Sequence, residues 1–159
     1  MKKSIVYSSV TGNTKMLAEE IHKNLGSVEY CGSISDEAMN SELIFVGFWT
    51  TKFSCPDNVK NFLAKLNNKK IFLFGTAGYD NSEEFFANII NDVKNNINSS
   101  NEIVGSFMCQ GKVSQTKQNA IKEMDIDKFN AMKPELDESM HHPDNTDLEN
   151  LIKEVNKVI

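Results

Sequence analysis

Between an apolar run and the start of a one-sided helix the chain reads Ser9-Val10-Thr11-Gly12-Asn13-Thr14. Hydroxyls at 9, 11 and 14 can donate to an anion, Gly12 lets the backbone come close, and the N–H groups of a helix N-terminus have no partner inside the helix. Residues of these types in this order suit one phosphate held by neutral donors. No lysine lies inside the loop and no Gly-Lys-Ser/Thr follows, so it is not the loop that grips a nucleoside triphosphate; nor is it Gly-x-Gly-x-x-Gly. An ordinary capped turn from strand to helix uses the same residue types, and at this level both readings stand.

Other reactive side chains are sparse. Cys31, Cys55 and Cys109 are odd in number and scattered, which argues against a disulfide framework or a thiolate metal site. Cys55 precedes Pro56 at an expected helix start, where the helix dipole can lower a thiol pKa; a nucleophilic role stands beside that of a passive neighbour. Cys109 ends an apolar run and is expected to be buried. His141-His142 are adjacent, so on an extended loop their side chains point apart, with no Cys or carboxylate at metal spacing; a loop leading into a helix is the expected role. His22 is expected on the solvent side of a helix. The acidic residues Asp125, Asp127, Glu135, Asp137 and Glu138 read as a solvated face, with partner docking as the alternative. Every cation is a lysine, which excludes chemistry that needs a guanidinium fork.

The elements that must position these residues follow from periodicity. The 159 residues carry a net charge of −5, with 40% hydrophobic and 25% charged residues, a composition that supports one core and gives no basic stripe for nucleic acid. Residues 3–8, 28–31, 42–49, 70–75 and 103–109 read as strands. Helices are expected over 14–25, after Pro56 (with Val59, Phe62, Leu63 and Leu66 inward), from Asn81 (with Phe85, Phe86, Ile89, Ile90 and Val93 inward) and from the capping-box spacing Thr146-Asp-Leu-Glu149 onward. Residues 112–142, with Met124, Met132 and Met140, have a weaker pattern; helix is expected in part, with a new start at Pro134. Short apolar strands alternating with one-sided helices predict an α/β chain of one domain over 1–159. A doubly wound five-stranded parallel sheet has helices on both faces and a ligand site at the carboxyl ends of its strands.

With the order of elements in place, the chain resembles the flavodoxins, whose phosphate loop Thr/Ser-x-Thr-Gly-x-Thr corresponds to Ser9–Thr14. It is most similar to short flavodoxin-like domain proteins of anaerobic bacteria in Phe48-Trp49, Gly75-Thr76-Ala77-Gly78 and Cys109-Gln110-Gly111-Lys112, with His142-Pro143 before the last helix. The resemblance implies a flavodoxin-like fold and FMN as cofactor. It implies a phosphate held by Ser9, Val10, Thr11, Gly12, Asn13 and Thr14, and a flavin flanked by Trp49 and Tyr79. Thr50 would meet the ribityl chain or phosphate, and Thr76, Ala77 and Gly78 the pyrimidine edge. Trp49 closing the core and Tyr79 lying in a turn are the alternatives, and Gln110-Gly111-Lys112 could line the pocket or simply turn the chain.

Two departures from the family pattern stand out. The loop Thr50-Thr51-Lys52-Phe53-Ser54-Cys55 lacks the glycine that many flavodoxins place beside the flavin, and a non-glycine residue resists φ > 0; together with the charge of Lys52 this implies a poorly stabilised half-reduced flavin. The net charge is also smaller in magnitude than that of electron-shuttling flavodoxins, which implies weaker steering toward a basic partner. The function implied is electron transfer between a reductase and an acceptor enzyme. A small flavin-dependent reductase or its accessory subunit, as in bilirubin reduction, and a flavin-free interaction module are the alternatives. The N-terminal apolar stretch is too short for a signal peptide and no run is long enough to span a membrane, so a cytoplasmic protein is expected.

Overall fold

The apolar runs have the burial expected of strands covered on both faces. In the computed structural model, which describes residues 1–159, five parallel strands, β1 (Lys3–Tyr7), β2 (Tyr30–Ser33), β3 (Leu43–Trp49), β4 (Lys70–Ala77) and β5 (Glu102–Gln110), lie in the order β2-β1-β3-β4-β5. Side chains alternate across the sheet. Leu43, Phe45, Phe72 and Phe74 face helices α1 (Asn13–Leu25) and α6 (Asn145–Asn156). Ile44, Val46, Phe48, Ile71 and Leu73 face α2 (Asp57–Ala64), α3 (Glu83–Lys94) and a 3-10 turn at Asp36–Asn40. The chain winds one way from β1 to β2 and the other way from β3 to β5, so the order switches between β1 and β3, where such sheets bind ligands.

Two reciprocal pairs lock the centre of the sheet. Gly47 lies opposite Phe74 and Gly75 opposite Phe48. A Cβ on Gly47 would meet the Phe74 ring at 2.3 Å, and one on Gly75 would meet the Phe48 ring at 2.5 Å. Each glycine makes room for a ring from the neighbouring strand, one on each face of the sheet.

The inward residues expected of α2 are buried; in α3, Ile89, Ile90 and Val93 are buried while Phe85 and Phe86 are only partly covered. Strand β2 starts at Tyr30 rather than Val28. The last helix starts earlier than the Thr146 spacing indicates: Asp144 is its cap and Asp147 completes the capping box, because a carboxylate at each end satisfies two free N–H groups reciprocally. Residues 112–142 fold as a hairpin of α4 (Gln115–Met124) and α5 (Ile126–Ser139), hinged at Asp125, whose side chain caps α5. No new helix begins at Pro134; it sits inside α5, its exposed ring turned to solvent, while Phe129 and Leu136 anchor the helix in a small cluster with Val113. No helix is long and apolar enough to cross a membrane.

Candidate functional site

At the switch point the turn after β1 opens into α1 in a way that leaves donors facing outward. Gly12 is the N-cap with φ 95°, a left-handed conformation that a side chain resists. Gly12 has no side chain to cap with, and no acidic residue lies in the first turn of the helix. The Gly12 and Lys15 N–H groups converge on one acceptor, Ser9 Oγ, at 3.2 and 3.3 Å. Ser9 Oγ thus takes up two amides at the positive end of the helix and keeps its own hydroxyl hydrogen to donate, which with the helix dipole makes this end a cradle suited to an anion. Asn13 closes its side: Nδ2 donates to the Lys112 carbonyl at 2.9 Å and approaches Thr11 Oγ1 at 3.4 Å.

Thr14 has a different task from the other hydroxyls. It is buried, donates to the Phe48 carbonyl at 3.1 Å and lies 3.0 Å from Thr76 Oγ1. Its hydroxyl therefore pins the loop to β3 and β4, and the exposed Thr11 and part-exposed Ser9 are the hydroxyls left to face an anion. Thr50 acts similarly, its N–H and hydroxyl both donating to the Thr76 carbonyl at 3.0 and 2.9 Å.

Beyond the cradle runs a cavity whose lining includes Ser9, Val10, Thr11, Asn13 and Thr14 on one side and Trp49, Thr50, Thr76, Ala77, Gly78 and Tyr79 on the other. Gly12 supports this wall through its backbone without lining it. Trp49 is half-buried and its indole N–H donates to Ser8 Oγ at 3.2 Å, which fixes the ring plane at the end of β3. Tyr79 is 37% exposed, with Lys117 Nζ 5.1 Å from its ring centroid. The arrangement suits a flat aromatic ligand carrying a phosphate at one end. No carboxylate lines the cavity.

The family model for the flavodoxin domain matches residues 4–156. The chain belongs to that family. A curated relative, the flavodoxin-like domain-containing protein BilS of Clostridioides difficile (strain CD3), is 35% identical, the match covering 93% of this chain and 90% of the relative. Among solved structures, the two-electron reduced flavodoxin of Megasphaera elsdenii is 26% identical with a TM-score of 0.51, covering 67% of this chain and 84% of that one. A flavoprotein in complex with FMN from Lactobacillus acidophilus NCFM shares the fold at 15% identity and TM-score 0.54, over 81% of this chain and 98% of that one.

This flavodoxin domain has a wall that the sequence reading left open. The segment after β5 lines the cavity through Gly111, Lys112, Val113, Ser114 and Lys117, and Phe85 of α3 joins them. Close packing holds this wall in place. A Cβ on Gly78 would stand 2.3 Å from Val113 Cγ2, and one on Gly111 2.8 Å from Asn13 Nδ2. Buried Gln110 ties the wall together, its Nε2 donating to the Gly78 and Glu135 carbonyls, both at 3.0 Å.

The loop after β3 also departs from expectation. Thr51 and Ser54 exchange both backbone hydrogen bonds, at 2.8 and 3.0 Å, around Lys52 and Phe53 with φ of 50° and 61°. Two positive φ values in succession mark a type I′ turn, normally an Asn-Gly sequence. The absence of glycine does not prevent left-handed backbone here, because the paired hydrogen bonds hold both residues in it.

Cys55 is buried rather than presented by the helix dipole, and burial pushes its thiol up. Cys109 is buried as expected, and burial raises its thiol well above the usual range. Neither is poised as a thiolate. His141 and His22 are exposed, but His142 is not without carboxylate neighbours, since helix α5 and the α6 cap both fold back on it. Its Nδ1 lies 2.7 Å from Asp147 Oδ2 and 3.9 Å from Asp144 Oδ2, and its Nε2 lies 3.0 Å from Glu138 Oε1. Burial alone would depress the His142 pKa; the hydrogen bonds to Asp147 and Glu138 outweigh it and hold the ring above its ordinary value. Of the acidic stretch, Asp125 caps α5, Asp137 pairs with Lys133 at 2.7 Å, and Glu138 meets His142.

Proposed function

We propose that this flavodoxin domain binds FMN and carries electrons between a reductase and an acceptor enzyme. The observation that carries the reading is the N-terminus of α1, opened by left-handed Gly12 and free of acidic residues, which lies with the Ser9 and Thr11 hydroxyls at one end of a cavity walled by Trp49 and Tyr79. The residues fit the cofactor: neutral donors for a phosphate, aromatic faces for a ring, backbone from Thr76 to Gly78 for the pyrimidine edge, and no carboxylate to repel the anion. Bound FMN supplies the redox chemistry. The chain's part is to hold the phosphate, orient the ring between Trp49 and Tyr79, and keep water from its buried edge. Each electron taken from the donor is the electron passed to the acceptor, so no side chain has to form or break a bond. That neither Cys55 nor Cys109 is poised as a thiolate is consistent with this division of work.

Anaerobic reduction of the FMN-loaded protein tests the reading. NAD(P)H alone is expected to leave the flavin oxidised, while catalytic amounts of a separate flavin reductase bleach it. Rapid bleaching by NAD(P)H alone would instead make the chain a reductase in its own right.

A further inference from the structure

Resting on the carrier reading, we infer that the rim of the cavity is a docking surface for a redox protein with an acidic face, the opposite of a rim built to receive a basic partner. The chain carries a net −5, yet its cavity lining holds Lys112 and Lys117 and no Asp or Glu. Lys52 is at the tip of the type I′ turn after β3, next to Phe53, whose ring meets the cavity-lining Phe85 edge-on at 6.3 Å between centroids. Like most lysines of the chain, these three have no carboxylate within 4.0 Å, so their charges are not paired off. Of the acids next along the chain, Asp80 accepts from the Asn81 and Ser82 N–H groups, Glu83 lines a separate groove beside Phe86, and Glu84 follows it; all three keep their charge and lie outside the cavity lining.

Apolar side chains stand among these charges. Val10 is 70% and Phe53 73% exposed, and Tyr79 completes the set. Single exposed apolar residues are ordinary, but several on one rim mark a contact patch. Phe53 lies outside the cavity lining, where a small ligand in the cavity would not cover it and a protein face would, while Val10 and Tyr79 line the cavity and stay open to solvent at its mouth. At physiological salt the screening length is about 8 Å, so carboxylates on the far side of the molecule count for little at the cavity mouth, where Lys112 and Lys117 lie in the lining and no Asp or Glu does.

The experiment is stopped-flow reduction of the FMN-loaded, full-length protein by a reduced plant-type ferredoxin, a small acidic one-electron donor. One electron leaves the iron–sulfur cluster and one enters the flavin. The rate constant is expected to fall as salt rises, and the variant Lys52→Gln/Lys112→Gln/Lys117→Gln to slow it about tenfold at low salt. A control, Lys2→Gln/Lys23→Gln/Lys70→Gln, removes the same charge at exposed positions toward the other end of the sheet and is expected to stay within about twofold of the parent. Rates relative to an uncharged small reductant, the deazariboflavin radical, cancel any change in driving force. Equal slowing in the two variants, a rate that rises with salt, or rim lysines that act only in self-association on sedimentation would each overturn the inference while leaving the carrier reading intact. A parent protein that takes up no FMN would remove the carrier reading and this inference with it.

Discussion

Hydroxyls that look alike in the sequence do unlike work. Ser9 and Thr11 face the cradle, whereas Thr14 is turned inward to the Phe48 carbonyl and Thr76. Replacing Thr14 with Val is therefore expected to cost stability, about 1–3 kcal/mol for the unpaired carbonyl it leaves behind, seen as a lower denaturation midpoint of the apoprotein. His142 gives a pH-dependent prediction. Its folded pKa lies above the unfolded value, so its stabilising contribution is full below the unfolded pKa near 6.5 and is lost as pH rises through the folded pKa. The variant His142→Gln is expected to be less stable than the parent by about 1 kcal/mol near pH 5.5, with the gap closing toward pH 8.5; urea midpoints at the two pH values check it. The cradle residues were legible because their types fit one chemistry at one place in the chain. The His142 cluster was not, because Glu138 and Asp147 come to it only when α5 and α6 converge.

At the level of elements, the strands and the inward faces of α1, α2 and α6 follow from periodicity alone, since both faces of the sheet are covered and each helix buries one stripe. The α4–α5 hairpin did not follow. Its pattern is weak because little of it packs on the sheet; it has its own small cluster around Val113, Phe129 and Leu136, and so its wall of the cavity was left open. The type I′ turn was hidden for another reason: Lys-Phe carries none of the residues that normally announce it. Replacing Lys52-Phe53 with Asn-Gly is expected to raise stability by about 1 kcal/mol, because Asn tolerates left-handed backbone and Gly adopts it without a Cβ clash; thermal denaturation reads it. The packing of the hairpin wall gives a sharper prediction. Gly78→Ala places a methyl against Val113 and is expected to cost about 1–3 kcal/mol and to weaken flavin binding as the wall is displaced. The denaturation midpoint and the FMN dissociation constant should therefore move together.

Over the whole molecule, topology does what no single motif could. Because the strand order switches between β1 and β3, the turn after β1 and the Trp49 loop after β3 must lie side by side, and β4 brings Thr76 to Tyr79 to the same end. The turn after β1 and the slot between Trp49 and Tyr79 thus line one cavity, and the sequence order of elements was enough to expect it. Which side chains ring its mouth was not legible, because Lys112 and Lys117 reach it from the segment that leaves β5 and enters α4. The direct test of the account is a fluorescence titration of the parent protein and of Thr11→Val/Gly12→Ala with FMN and with riboflavin, which lacks only the phosphate. The account predicts that the variant loses about tenfold or more in FMN affinity, at least ~1.4 kcal/mol, with riboflavin nearly unaffected. Equal loss of both ligands would contradict it and move the phosphate away from this loop.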